Sequence, residues 1–477
     1  ETSKPRRGVA AAAAGAALFL AMMLLQSGQA LVAGLGALLL AVAVHRLTRG
    51  PTASPTEIKL GPSGPRVPAE PAGSGALWLL DDARNLAVIT FVATTRGPLS
   101  RADVEAAVAA TGVGAGRYRR LTQRLVHPVT GSSVGCNAGC RPLAVDDADF
   151  DLSRHVVGLG EAEVAAAGGD LWRIVAGMMA TGLSEDRPPW VLHVWERPDG
   201  TTVLVGRFHH VLADGLALAS WLVKLTDRPD DAVPRIMRGP RPPLAQRWAA
   251  GLKQAAGVPL AVAHAVRKLL LNPPEPRLLS GGRPASGRKD VAFSSSVSFA
   301  TLRRVKAAFS VTVNDVALAC VAHAVASLLS AACRRVGGET PSTVHVAAPA
   351  SLREAVRGDA MDNCFGFVYV PLDSTPGLTP RQRLEAVAPV VRSMKSRPEA
   401  LLGWALQEVA WGLLPPAVVK WLKDDCSDRA VAIFSNVPGP PKPLSVRGAA
   451  VESCGFFVPA AADIMCNLSL LSNGDRL

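Results

Sequence analysis

Phe208-His209-His210-Val211-Leu212-Ala213-Asp214-Gly215 is the stretch on which the reading of this chain turns. Upstream, residues 201–208 alternate apolar with other side chains, the period of a strand. Downstream, residues 215–225 read as a helix, with Asp214 placed to cap its first turn. The motif therefore sits where a strand hands over to a helix, and side chains there project from a sheet edge on a rigid scaffold. Two of only 9 His in the chain are adjacent here. Imidazole titrates near neutrality, so it can take a proton from an alcohol and return it to a thiolate. A thioester already carries a good leaving group, and its transfer needs a positioned base and an oxyanion donor more than a covalent nucleophile. No Gly-x-Ser-x-Gly elbow is expected, so the chain is not read as a serine hydrolase. Singly, each residue has a plain structural duty: a buried, satisfied His, a helix cap at Asp214, a tight turn or close backbone approach at Gly215. Together and in this order they point to catalysis.

Outward from the motif, 477 residues are too many for one ordinary core, and 49% hydrophobic residues suffice for two. Residues 8–44 carry no charged side chain and break at Gln26-Ser27-Gly28-Gln29. With Lys4, Arg6 and Arg7 before the run and His45, Arg46 and Arg49 after it, both ends are expected on the cytoplasmic side. That suits a transmembrane hairpin, with a single tilted span, a cleaved signal peptide and a buried soluble helix as competing readings. Residues 1–49 are thus expected to be a membrane anchor. Residues 50–75, with six Pro and five Gly, read as a flexible tether. The first globular domain is expected over 76–226, with a strand at 86–93 and a helix at 100–110 capped by Ser100. A crossover linker follows over 227–290, containing a basic, amphipathic stretch at 244–271 that either crosses between domains or rests on a membrane surface. The second domain spans 291–477: helices at 299–309, 312–335 and 380–396, and strands near 343–349, 364–372, 430–435, 454–458 and 464–472. Mixed elements of this kind imply an α/β or α+β sandwich.

The net charge of +12 is spread along the chain, without a dense Lys/Arg block interleaved with aromatics, so no nucleic-acid partner is expected. Anionic lipid headgroups or cofactor phosphates account for it better. Of 8 Cys only Cys136 and Cys140 are close together, and Cys-x-x-x-Cys without a second pair or a nearby His is a poor zinc site. Free thiols and no metal are the expectation.

The His-His-x-x-x-Asp-Gly motif resembles that of the coenzyme A-dependent acyltransferases, and the chain resembles, within them, the bifunctional wax ester synthase/diacylglycerol acyltransferase family. The likeness runs over residues 76–477. It is carried by residues 121–126, Asp149-Phe150-Asp151-Leu152, Arg187-Pro188-Pro189-Trp190 and Thr312-Val313-Asn314-Asp315. Pro349-Ala350-Ser351-Leu352-Arg353, Asn363 with Gly366, and Ser435-Asn436-Val437-Pro438-Gly439-Pro440 follow in the family's order. The resemblance implies two similar chloramphenicol-acetyltransferase-like α/β sandwich domains around a central tunnel. Acyl-CoA would be the co-substrate, with no bound cofactor, and a long-chain alcohol or diacylglycerol would accept the acyl group. By position His210 would be the general base and His209 supporting. Asp214 would hold the loop, and Gly215 would keep space for the acyl donor. Asn314 and Asp315, and Asn436, Pro438 and Gly439, would be candidates for substrate binding. Plainer duties compete: Thr312-x-x-Asp315 reads as a capping box and Asn436–Pro440 as a Pro/Gly turn.

Gly182-Leu183-Ser184-Glu185-Asp186 departs from the Pro-Leu-Asp many relatives show before Arg-Pro-x-Trp. Bacterial relatives usually lack the N-terminal run, which points to an endoplasmic reticulum form contacting membrane lipid, its globule cytosolic. Another His-motif acyltransferase with a different alcohol, or a catalytically silent lipid-binding scaffold, are the alternatives.

Overall fold

The computed structural model describes residues 56–135, 139–229, 279, 283–353, 359–395 and 397–477. The span expected within 8–44 and the amphipathic stretch at 244–271 lie outside the described residues, as does Cys136. The strands in chain order are β1 Thr56–Lys59, β2 Arg66–Pro71, β3 Val88–Arg96, β4 Gln123–Val126, β5 Leu143–Asp146, β6 Val156–Gly158, β7 Trp190–Glu196, β8 Thr201–His209, β9 Thr343–Ser351, β10 Phe365–Asp373, β11 Ala432–Val437, β12 Ser445–Val446, β13 Ala449–Phe457 and β14 Cys466–Leu471. The helices are α1 Arg101–Ala110, α2 Glu161–Ala166, α3 Leu171–Met179, α4 Gly215–Val223, α5 Phe299–Phe309, α6 Val313–Val336, α7 Pro380–Lys395, α8 Glu399–Leu413 and α9 Pro416–Ser427.

A six-stranded sheet, β12-β13-β3-β8-β7-β6, organises the first half. Its centre is covered on both faces, so β3 and β8 are buried along most of their length, polar residues such as Thr90, Thr202 and Arg207 included. Val92, Val203 and Val205 pack on Ile174, Val175 and Met178 of α3. On the other face, Trp190, Leu192 and Phe208 meet Val104 and Val108 of α1 and Leu218 and Trp221 of α4. Trp190 anchors that face. Its ring stacks 4.4 Å from His155, lies 6.0 Å from Phe208 and 5.9 Å from Trp221, and its Nε1–H donates to the Leu121 carbonyl at 2.7 Å. Ser100 caps α1 in a capping box with Asp103, as the residue types require.

The second half is built on the sheet β10-β9-β11-β14, with β9 and β10 antiparallel and β11 parallel to both β9 and β14. Alternation divides its faces. Val344 and Val346 of β9 with Val370 and Leu372 of β10 pack on α6 and α7 through Leu318, Val325, Leu329, Val387 and Val391. His345, Ala347, Pro349 and Ser351, with Phe365, Phe367 and Tyr369, face the other way and line a cavity. Among the described residues one helix, Val313–Arg335, is long and apolar enough to cross a membrane, and its buried side chains belong to this core.

Three expectations are corrected. Residues 56–71 are not tether: β1 and β2 pair antiparallel and continue through β5 to β4 in a third small sheet, closed by Ile58, Ala69, Val126 and Val145. Pro62 and Pro65 flank the hairpin's turn, where they cost no ladder bond. Nor does the second domain keep all of 291–477. β13 crosses to the first sheet, pairing with β3 from Ala450↔Arg96 to Phe457↔Thr90 with a bulge between Val451 and Ser453. The third is an omission: α8 and α9 occupy a stretch read without helices.

Replacing Trp190 by Ala removes this packing and one buried hydrogen bond, and is expected to cost roughly 3–5 kcal/mol. A urea titration followed by circular dichroism reads this as a clear fall in midpoint, and an unchanged midpoint would contradict the anchoring role.

Candidate active site

Strand β8 delivers the His pair. His209, 2% exposed, closes the strand by donating its N–H to the Pro189 carbonyl at 2.9 Å. Its Nδ1 accepts the Val211 N–H at 3.2 Å, which puts the ring proton on Nε2, 3.5 Å from the Asp81 carboxylate. That carboxylate also takes the Ala87 N–H at 2.7 Å. His209 thus faces inward and shapes the turn.

His210 faces the other way, onto the cavity. Its N–H donates to the Ala87 carbonyl at 2.7 Å, tying it to the start of β3. The ring stacks on Trp78, centroids 4.0 Å apart at 21°, and tilts against Phe365 at 5.6 Å. Nδ1 is sealed and makes no hydrogen bond, which leaves Nε2 as the nitrogen on the cavity side. Burial pushes the ring's pKa down to about 4, against its own carbonyl and the Asp214 carboxylate, which both favour the charged form. At neutral pH the ring therefore holds a lone pair.

Asp214 does not reach into chemistry of its own. Its Oδ1 accepts the Ala217 N–H at 3.0 Å and caps α4. Its Oδ2 accepts from Arg353 Nε at 3.1 Å and Nη2 at 2.9 Å and from the Cys364 N–H at 2.9 Å. Arg353 and Asp214 are 8% and 5% exposed, and Arg353 also contacts Asp362 at 2.6 Å. A Cβ at Gly215 would meet only Val437 Cγ2, at an ordinary 3.7 Å. The protein itself does not demand glycine there, so what a side chain would take is cavity space.

The cavity, about 450 Å³, lies between the halves. Leu77, Ile89, Leu402 and Val437 are typical of its walls, and its volume falls in the usual range of small-molecule pockets. Lys423 of α9 also lines it, donating to the Leu80 carbonyl at 3.2 Å; burial lowers its ammonium's pKa, opposed by Asp424 and Asp81.

The other expected binding residues separate. Asn436 lines the cavity and donates to Asn314 Oδ1 at 3.3 Å, which leaves Asn314 one residue behind the wall. Thr312 caps α6, and Asp315 in the helix's first turn completes the capping box by accepting the Thr312 N–H at 2.7 Å. Gly439 packs against the backbone of Ser472, where a Cβ would fall 1.7 Å from the carbonyl oxygen. Neither Asp315, Pro438 nor Gly439 lines the cavity. The sequence does spell Gly-x-Ser-x-Gly once, at Gly131-Ser132-Ser133-Val134-Gly135, but between β4 and β5 rather than at a strand-to-helix elbow, and Ser133 Oγ accepts from Arg124 Nη1 at 3.2 Å. Trp78, Asp81, Arg353, Asn363 and Lys423 were missed as site residues. Trp78, Asp81, Arg353 and Asn363 reach the motif, and Lys423 the cavity, from far along the chain; Arg353 and Asn363 carried the family resemblance but no role at the site. Among the described residues no group of three or more His, Cys, Asp and Glu could hold a metal ion.

Residues 115–317 match the family model of the wax ester synthase/diacylglycerol acyltransferase catalytic domain, and residues 361–477 match that of the WS/DGAT C-terminal domain. Two Mycobacterium tuberculosis proteins, each named a probable diacylglycerol O-acyltransferase, are 26% identical to this chain. One aligns over 361 residues, 70% of this chain and 75% of its own length, the other over 428 residues, 82% and 91%. Of solved structures, the wax ester synthase/diacylglycerol acyltransferase from Marinobacter aquaeolei superposes with a TM-score of 0.54 at 17% identity, covering 84% of this chain and 90% of that one. The first condensation domain of the calcium-dependent antibiotic synthetase gives 0.53 at 16%, covering 88% and 89%. These two share the fold.

A nitrogen-15 NMR titration of the His210 ring is expected to show a midpoint near 4, and replacing Trp78 by Ala, which lets water reach the ring, is expected to raise it toward the usual value of about 6.5. A wild-type midpoint near 6.5 would refute the desolvated site.

Proposed function

Because this chain belongs to the wax ester synthase/diacylglycerol acyltransferase family, we propose that it moves a long-chain acyl group from acyl-CoA onto a lipid hydroxyl, with His210 as the general base. The observation that carries this reading is the neutral His210 ring, stacked on Trp78 at the wall of an apolar cavity. In the proposed step the acceptor hydroxyl gives its proton to His210 Nε2 as its oxygen attacks the thioester carbonyl. The tetrahedral intermediate then collapses, the C–S bond breaks, and the coenzyme A thiolate takes the proton back from Nε2. One C–O bond replaces one C–S bond, and no proton is left on the enzyme. The lowered basicity of the ring weakens it as a base but keeps it unprotonated across the physiological range.

Diacylglycerol is the acceptor we favour, since the mycobacterial relatives are named for it; a long-chain alcohol, giving wax ester, is the second acceptor to which the family name points. Both place one hydroxyl on an apolar body, and apolar walls discriminate such bodies weakly. Gly215 leaves room for the reacting chain, and Asn436 offers a polar group at the same wall. The uncharged run at residues 8–44 would keep the enzyme at a membrane, where such acceptors partition, with the globule on the cytosolic side.

The test is thin-layer chromatography of products from membranes carrying the protein, given labelled palmitoyl-CoA with diacylglycerol or with hexadecanol. A labelled triacylglycerol or wax ester band is expected, and His210→Ala is expected to reduce it by roughly 100-fold or more. Full transfer by the His210→Ala protein would rule out the base.

A further inference from the structure

The turn that carries His210 belongs to the first half of the molecule, yet three consecutive residues of the second half hold it. The Asp362 carbonyl accepts the Asp214 N–H at 3.1 Å, the Cys364 N–H donates to Asp214 Oδ2 at 2.9 Å, and between them Asn363 Nδ2 donates to the His210 carbonyl at 2.9 Å. Only the Asn363 contact is made to the base itself. The amide is tightly enclosed: a Cβ on Gly75 would stand 2.9 Å from Asn363 Nδ2 and 2.7 Å from the Val211 carbonyl. Two buried atoms beside this contact have no hydrogen-bond partner, Asn363 Oδ1 and His210 Nδ1.

We infer that Asn363 is a positioning residue for the base: it fixes the His210 carbonyl and offers Oδ1 to the ring, so that the proton stays on Nδ1 and Nε2 presents its lone pair to the cavity. A base at Nε2 requires the proton on Nδ1, and a buried N–H without an acceptor is costly. His210's own carbonyl, gripped by Asn363, and the Asn363 side chain both favour the protonated ring, although neither closes a hydrogen bond to Nδ1 in this geometry. The Asp214 carboxylate is held by Ala217, Arg353 and Cys364 and makes no hydrogen bond to the ring. His209 cannot serve as the acceptor, because it is turned toward Asp81 and Val211. A further consequence is that the base is set only when the second half is seated on the first.

The inference rests on His210 as base, so its test carries a readout that does not need turnover. In protein labelled with nitrogen-15 at histidine, the His210 signals, assigned by their loss in His210→Ala, are expected to report the Nδ1–H tautomer. Asn363→Ala is expected to convert them to a mixed-tautomer pattern and to lower kcat by up to roughly 100-fold, the scale of a ~1 Å misplacement, with KM little changed. Asn363→Asp keeps the shape and adds a carboxylate beside the ring. It is expected to raise the His210 titration midpoint, and it carries the test alone if Asn363→Ala does not fold. Asp214 and His209 are the other titratable groups acting on the ring and are unaltered in both variants. A folded Asn363→Ala protein with wild-type His210 signals and kcat within twofold of wild type would overturn the inference, as would an unmoved midpoint in Asn363→Asp. Should His210→Ala retain full transfer while the tautomer still follows Asn363, the proposed base fails and the positioning contact stands.

Discussion

The Asp214–Arg353 pair is the contact on which the site depends. One carboxylate caps the helix that follows the His motif, takes two donors from a guanidinium on the second half, and accepts a backbone N–H from the strand that walls the cavity. Burying two charges is costly, and such a pair adds little net stability over an apolar packing of the same shape. What it supplies is a fixed geometry: it can close only when the turn at 210–214, the end of β9 and the start of β10 are all in register. Removing Arg353 would leave the buried Asp214 carboxylate without its cation, whereas removing Asp214 would leave Arg353 only its contact with the more exposed Asp362.

From that seam follows the character of the cavity. The first half contributes the end of β8 and the turn of 3-10 helix at Ser74–Leu80, and the second half contributes the unpaired face of its sheet with helices α8 and α9. Neither half encloses the space alone. Because the walls are apolar, the imidazole at their junction loses its hydration and stays neutral well below the usual range of histidine. The same desolvation that lowers its basicity strengthens every dipole aimed at it, which is why an amide such as Asn363 matters more there than it would on the surface.

Much of the fold is legible locally. Capping boxes at Ser100–Asp103 and Thr312–Asp315 stand where their residue types place them, and β8, α4 and α5 follow their periodicities closely. The failures share one cause. Helix α8 turns Leu402, Leu406 and Ala410 to the cavity while Trp404, Ala405 and Trp411 are buried as well, so it is apolar on several sides and shows no stripe for a helical period to reveal. Strand β13 is recognisable in part as a strand, but its partner lies more than 350 residues away in the other half. The hairpin β1–β2 is masked by the prolines around its turn.

For the site the division is sharper. By itself the sequence determined the chemistry on offer: an adjacent His pair at a strand end, an acid able to cap the next helix, and a glycine after it. These are neighbours in the chain, held by backbone geometry that local residue types dictate. Only the tertiary structure decided which His faces the cavity, that Asp214 spends both oxygens on structure, and that Trp78, Arg353 and Asn363 complete the surroundings of the base. The physical reason is that orientation and desolvation come from contacts closed over more than a hundred residues, between two halves that meet only when folded, and such contacts leave no periodic mark in the chain.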